Sequence, residues 1–265
     1  MITKAHFAAK FSAQEFIQES ISRFESEHNL HKMWKSPLVS LLPADHPLLP
    51  GLRKTVTEDH LLPDEILPGA KTVIVFFVPF EERIIESNLS GEGASEEWAM
   101  AYVFTNQLLG YINDEFEKSL SDIGFHTAKI NATHNFSEST LLSRWSHRHL
   151  AWIAGLGTFG INNMLITSNG CCGRFGSFVT DADYSDLGIP LSESPNQNEN
   201  CLNKRNGSCG LCHKKCFAGA YKYDYFDRHK CYQECLKNAA VYKSIGLADV
   251  CGKCLVGLPC SQRIP

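Results

Sequence analysis

The sequence predicts a three-layer α/β domain over residues 1–190, followed by a small cysteine-rich domain over residues 191–265. Three observations predict it. Strand-like and helix-like segments alternate up to about residue 190. A polar stretch with Gly and Pro, residues 184–200 (YSDLGIPLSESPNQNEN), reads as a linker. None of the eleven cysteines precedes Cys171, and nine of them fall between Cys201 and Cys260.

Taken in order, residues 9–24 carry apolar side chains at helical spacing and predict an amphipathic helix. Residues 37–70 hold Pro37, Pro43, Pro47, Pro50, Pro63 and Pro68, which predicts an irregular wrap with short turns. The segment KTVIVFFVPF, residues 71–80, is β-branched and aromatic and follows Pro68–Gly69, so it reads as a strand buried on both faces. Residues 95–123 give the longest helical pattern, with Trp98, Ala101, Tyr102, Leu108, Leu109, Ile112, Phe116, Leu120 and Ile123 recurring every three or four positions before Gly124. Short strands are expected at 126–130, 164–167 and 175–180, and a helix at 147–154.

Composition narrows the function classes. Hydrophobic residues make up 43% and charged residues 20% of the 265, as in an ordinary globular chain. The net charge of −4 argues against sequence-independent binding to nucleic acid. No run reaches the ~18 apolar residues of a membrane span. The start of the chain, MITKAHFAAKFSAQEF, lacks the apolar core of a signal peptide, so a cytoplasmic location is expected. Thiols there are kept reduced, and eleven cysteines call for a metal or redox explanation.

The spacing of those cysteines points to iron–sulfur chemistry. One group is Cys201, Cys209, Cys212 and Cys216; the other is Cys231 or Cys235, then Cys251, Cys254 and Cys260. Two-cluster ferredoxins use C-x2-C-x2-C-x3-C, and the fourth cysteine of each run ligates the other cluster. Cys209, Cys212 and Cys216 match the last three places, and Cys201 stands in for the first. The cross-over rule then assigns one [4Fe–4S] cluster to Cys201, Cys209, Cys212 and Cys260. It assigns the other to Cys216, Cys251, Cys254 and one of Cys231 and Cys235. Two competing readings are a structural zinc site joined by His213 or His229, and a disulfide-rich module. Gly207, Gly210, Gly219, Gly252 and Gly257 suit close approach of backbone amides to the sulfurs.

Upstream, AGLGTFG places Gly155, Gly157 and Gly160 in a G-x-G-x-x-G pattern. A dinucleotide fingerprint would follow a strand and open a helix. Here the order is reversed, which leaves a tight helix-to-strand turn or a bare backbone wall for another cofactor. His147 and His149 flank Arg148 just before it, with Arg144 nearby, and Arg174 follows in CCGRFGS.

The succession AGLGTFGINNMLIT, GRFGSFVTD and CGLCHKKCFAGA resembles the epoxyqueuosine reductase family and the related reductive dehalogenases, over about residues 68–262. The ending CGKCLVGLPC is similar to short members without C-terminal helical repeats. The resemblance implies a nitroreductase-like α/β domain followed by a ferredoxin-like module with two [4Fe–4S] clusters. It favours Cys231 over Cys235 and leaves Cys171, Cys172 and Cys235 without a role. It places a cobalamin against Gly155, Leu156, Gly157, Thr158, Phe159 and Gly160. It implies an oxidoreductase that passes electrons from a donor such as ferredoxin or flavodoxin, through the clusters and the corrinoid, to a small substrate. Three positions depart from the family. Leu141 stands where the tRNA-modifying enzymes carry their proton-donating aspartate, Ile161 replaces a lysine, and Phe217 replaces a proline. The expected substrate is therefore a small molecule rather than a tRNA, with His147 and His149 as candidates for proton delivery. The alternative is an electron carrier that holds clusters and no corrinoid.

Overall fold

The computed structural model describes residues 12–131, 133–188, 195, 198–222 and 225–265. Residues 9–11 of the first expected helix and much of the expected linker (189–194, 196 and 197) lie outside the described residues. In chain order the main elements are α1 (Ala13–Glu27), β1 (Leu38–Pro43), β2 (Thr72–Pro79), α2 (Glu82–Ser87), α3 (Glu96–Ser121), β3 (Thr127–Lys129), α4 (His147–Ile153), β4 (Gly157–Phe159), β5 (Leu165–Thr167) and β6 (Gly173–Thr180). There follow α5 (Leu202–Asn206), α6 (Leu211–Lys214), β7 (Tyr221–Lys222), β8 (Tyr225–Phe226) and α7 (Arg228–Val241).

The chain divides into two compact units. The first comprises Met1–Val78, Leu108–Leu156 and Arg174–Asn196; the second comprises Pro79–Gln107, Gly157–Gly173 and Gln197–Pro265. This differs from the expected boundary at 190/191. The cysteine-rich stretch supplies few apolar side chains of its own, and its unit takes in earlier segments that carry them. From α3 come Ala99, Tyr102 and Val103, which pack with Ala248 and the half-buried Tyr242, Ile245 and Val250. From the β4–β5 hairpin and the turn after it come Ile166 and Cys171, which pack with Cys201, Leu255 and Cys260.

The first unit is built on a four-stranded sheet in the order β1-β2-β6-β3. All eight residues of β2 are buried, as its unbroken apolar run predicts. The sheet is antiparallel throughout. β1 pairs with β2 (Ser40 opposite Val75) and β3 with β6 (Ala128 opposite Val179). Lys71 N donates to Thr180 O at 2.9 Å, at the end of the β2–β6 ladder. β1 lies inside the stretch expected to be irregular. Pro37 precedes it and Pro43 ends it, and an edge strand tolerates Pro at its ends, where the missing N–H faces away from the ladder.

Helices cover both faces of this sheet. The ring centroid of Phe116 on α3 lies 4.4 Å from Phe16 of α1 and 4.6 Å from Phe178 of β6. The next residue along the strand, Ser177, points the opposite way and accepts a hydrogen bond from Trp145 Nε1 at 3.0 Å. On the β1 side, Ser40 Oγ donates to Ala154 O at the end of α4 at 2.7 Å. The unit is mixed α/β, as the sequence predicts. α1 starts where Ser12 Oγ accepts from Glu15 N, an N-cap that satisfies one of the free amides of the first turn.

In the second unit, Trp98 meets Phe80 edge-on at 5.2 Å. The Trp98 ring also lies flush on Gly252, where an added Cβ would fall 2.3 Å from it. Gly252 has φ +74°, so only glycine meets both demands. Among the described residues, no helix is long and apolar enough to cross a membrane.

Candidate metal centre

Thiols from four short pieces of chain converge in the second unit. The Sγ atoms of Cys201, Cys209, Cys212 and Cys260 line one otherwise apolar recess, together with Gly160, Ile161, Ile166 and Leu258; it measures about 350 Å³ with the solvent at its mouth included. Burial and then the neighbouring thiols of Cys260, Cys201 and Cys209 push Cys212 up to about 11. Cys201 is the N-cap of α5, and Cys212 lies in the one-turn helix α6. Asn203 Nδ2 donates to Cys209 O, which ties the two pieces together.

The second set holds Cys216, Cys231, Cys251 and Cys254. Burial pushes Cys251 up to about 11 and Cys254 up to about 12, and both sense the thiols of Cys231 and Cys216. Tyr221 shares its hydroxyl proton between Asn162 O at 3.0 Å and Cys254 Sγ at 3.7 Å. Its ring stacks between His213 and Phe226, with centroids 4.3 and 4.8 Å away. Lys253, between the two cysteines of CGKC, is 6% exposed and donates to Asn88 O at 2.8 Å and Ser90 O at 2.6 Å. Its Nζ is a buried cation in the immediate neighbourhood of Cys251, and burial lowers its pKa.

Cys201, Cys209, Cys212 and Cys260 thus lie near one another, and Cys251 and Cys254 lie near Cys216 and Cys231. No disulfide joins any of the eleven cysteines. Among the described residues, no three His, Cys, Asp or Glu side chains converge as ligands of a single metal ion. A tetrahedral zinc draws its sulfurs to ~2.3 Å from one centre, whereas a cubic cluster keeps its four thiolates apart at separate corners. His213 Nε2 is hydrogen-bonded to Ile161 O at 3.0 Å.

The glycine loop has local explanations. Gly155 takes φ +75° and stops α4, with its N–H donating to Trp152 O at 3.1 Å. A Cβ on Gly157 would meet Ile166 O at 2.2 Å across the β4–β5 hairpin, and one on Gly160 would meet Asn162 Oδ1 at 2.7 Å. Phe159 ends β4, which the glycines had hidden in the sequence. Thr158 Oγ1 accepts from Asn200 N at 2.8 Å and donates to Glu199 Oε1 at 3.3 Å. Leu156 closes the helix stop by donating its N–H to Ala151 O at 2.9 Å.

In the first unit the two histidines differ. His147 is 7% exposed; its Nδ1 accepts from Ser177 Oγ at 2.7 Å, and its Nε2 faces Asn131 O at 3.3 Å. Burial lowers its pKa to about 4. His149 is half-buried, is bonded to Ser146 Oγ at 2.7 Å, and is lowered to about 4 by burial and the charge of Arg148. Both are neutral at pH 7. A polar recess of about 380 Å³ in the same unit is lined by Asp59, Phe136, Thr140, Leu142 and Arg144 among others. Leu141 sits between two of these residues at φ +54°. Asp59 and Arg144 pair at 3.0 Å. Their separation of 85 positions hides this pair from any local motif.

No protein-family model and no curated protein matches the chain. Solved structures do. Epoxyqueuosine reductase from Bacillus subtilis aligns over 94% of this chain and 66% of its own length, at 15% identity and TM-score 0.51. The chain shares the fold of epoxyqueuosine reductase. An epoxyqueuosine reductase with an epoxyqueuosine-modified tRNA-Tyr stem loop gives 17% identity and TM-score 0.52, over 94% of this chain and 66% of that one. The catabolic reductive dehalogenase NpRdhA, in complex with 3-bromo-4-hydroxybenzoic acid, gives 14% identity and TM-score 0.55, over 86% of this chain and 30% of that one. The chain thus spans about two thirds of the epoxyqueuosine reductases and under a third of the dehalogenase. The expected resemblance holds at the level of fold.

Proposed function

We propose that the protein is an iron–sulfur oxidoreductase whose second unit holds two [4Fe–4S] clusters. Cys201, Cys209, Cys212 and Cys260 would hold one, and Cys216, Cys231, Cys251 and Cys254 the other. The observation that supports the reading is that Cys201, Cys209, Cys212 and Cys260 line one recess while Cys251 and Cys254 sense the thiols of Cys216 and Cys231. Such clusters supply one-electron transfer at potentials set by charge, hydrogen bonds to sulfur and exposure. This chain's residues set those terms. Tyr221 offers Cys254 a hydrogen bond, Lys253 places a cation beside Cys251, and apolar side chains wall the first set. Thiols held above their usual range must lose protons to bind iron, so loading releases protons and weakens as pH falls.

A donor such as ferredoxin or flavodoxin and a small-molecule substrate complete the proposal. His147 and His149, both neutral at pH 7, are the candidates to exchange a proton with the substrate. A cobalamin rests on the fold alone. One dehalogenase of this fold is described as B12-dependent. In this chain, however, the loop glycines expected at the macrocycle serve a helix stop and a hairpin contact, and they form no free wall.

The test is anaerobic purification with iron and sulfide analysis and electron paramagnetic resonance on the reduced protein. About eight irons per chain and two interacting S = 1/2 signals are expected. A colourless, iron-free protein with bound zinc would overturn the proposal. Hydroxocobalamin retained through desalting would bring the corrinoid in.

A further inference from the structure

Eleven cysteines serve eight ligand positions, and the structure says where the other three lie. Cys171 is 3% exposed, in the turn between β5 and β6. Its backbone N donates to Cys260 O at 3.1 Å, and its side chain packs in one apolar group with Cys201 and Cys260. The neighbouring Cys171 thiol is the first cause that raises Cys260, and the Cys171 thiol itself senses Cys172 first and then Cys260. Cys235 lies four residues after Cys231 on α7, one turn along the same helix face. The neighbouring Cys231 thiol, and then burial, raise the Cys235 thiol far above its ordinary range, with Cys251 a further cause. Cys172 differs from both, because its Sγ donates to Leu255 O at 3.3 Å.

Each set of four therefore has a fifth thiol against one of its members. The two fifth thiols come from unrelated places, a turn after the hairpin and the body of a helix. Cys171 lies against the member of its set farthest in sequence from the C-x2-C pair, and Cys235 against the member that shares its helix.

We propose that Cys171 and Cys235 are reserve ligands, able to take the iron corner held by Cys260 and by Cys231 respectively. This rests on the two-cluster reading above. The exchange is redox-neutral. With a cluster bound, Cys171 would take the iron corner in place of Cys260, and the proton given up by the Cys171 thiol would go to the Cys260 thiolate. The same bookkeeping holds for Cys235 and Cys231. A ligand swap needs a second sulfur within about one hydrogen-bond length and a side chain free to turn about χ1, and cysteine supplies both.

The experiment is iron analysis and electron paramagnetic resonance on the full-length chain, prepared without oxygen. Cys260→Ala and Cys231→Ala are expected to keep the wild-type iron content, with a changed line shape for the affected cluster. Cys171→Ala/Cys260→Ala and Cys231→Ala/Cys235→Ala are each expected to lose half the iron. Cys171→Ala and Cys235→Ala alone should keep all of it. If Cys260→Ala and Cys231→Ala lose half their iron while wild type stays full, the reserve role fails and the two-cluster reading survives. A wild-type protein without iron sinks both. If an alanine variant is insoluble, Cys260→Ser and Cys231→Ser are compared with their doubles by the same criterion.

Discussion

Helices α1 and α7 are nearly equal in length, 15 and 14 residues, and they are held in place by different physics. α1 buries Ala13, Ile17, Ser20, Ile21 and Phe24 along one stripe, so the hydrophobic effect fixes it. α7 buries only Glu234 and Asn238. Its Asn238 accepts from Ala94 N at 2.9 Å, and its cysteines face other thiols. A helix with so little apolar cover has a weak reason to stay docked unless something else binds its side chains. The difference teaches that the first unit is a conventional core, while the second depends on what its thiols hold.

The sharpest way to break that comparison is to remove the iron that the proposed function places on the thiols. Treatment with a chelator and oxidant is expected to expose α7 and residues 201–222 to rapid amide exchange while the β2 and β6 amides stay protected. Equal protection of α7 before and after would mean that the contrast is false. Next in size, Phe116→Ala should remove about 3–5 kcal/mol from the first unit, since that ring touches both Phe16 and Phe178. Denaturant unfolding followed through Trp145 reads the loss.

A smaller effect comes from His147. Its folded pKa of about 4 lies below the ordinary 6.5. The unfolded chain therefore takes up a proton that the folded chain refuses as pH falls from 6.5 to about 4. Stability is full above 6.5, declines across that window by up to roughly 3 kcal/mol, and levels off below it. His147→Gln should flatten the difference in Tm between pH 7 and pH 4.5. Smallest is Ser12→Ala, which removes the cap of α1 and should cost about 1 kcal/mol, read by the same unfolding curves.

Legibility followed the same divide. β2 and α3 announce themselves because burial on both faces and a repeating stripe leave strong periodic marks. β1 escaped because the prolines at its ends look like loop, and β4 because its glycine serves a backbone contact with Ile166 that no neighbouring residue encodes. Spacing alone marked the run Cys209, Cys212 and Cys216 and the pair Cys251 and Cys254 as one chemistry, while choosing Cys231 over Cys235 took the family resemblance. The companions of Cys260 and Cys231 were not marked. Cys171 reaches Cys260 from 89 positions upstream, and Cys235 differs from Cys231 only by one helical turn. Nor does the pattern of α3 reveal that its Trp98 end belongs with the cysteines, because a stripe reports burial and says nothing of what does the burying.

The two thiol sets are nested along the chain: Cys216 to Cys254 lies wholly inside Cys201 to Cys260. On the ribosome this imposes a timetable. The inner set is complete only when residue 254 has emerged, and the outer set waits for residue 260, by which time Pro79–Gln107 has been outside the exit tunnel for well over a hundred residues. Filling either set, under the proposed function, would therefore wait until most of the chain is made, and the two would fill close together.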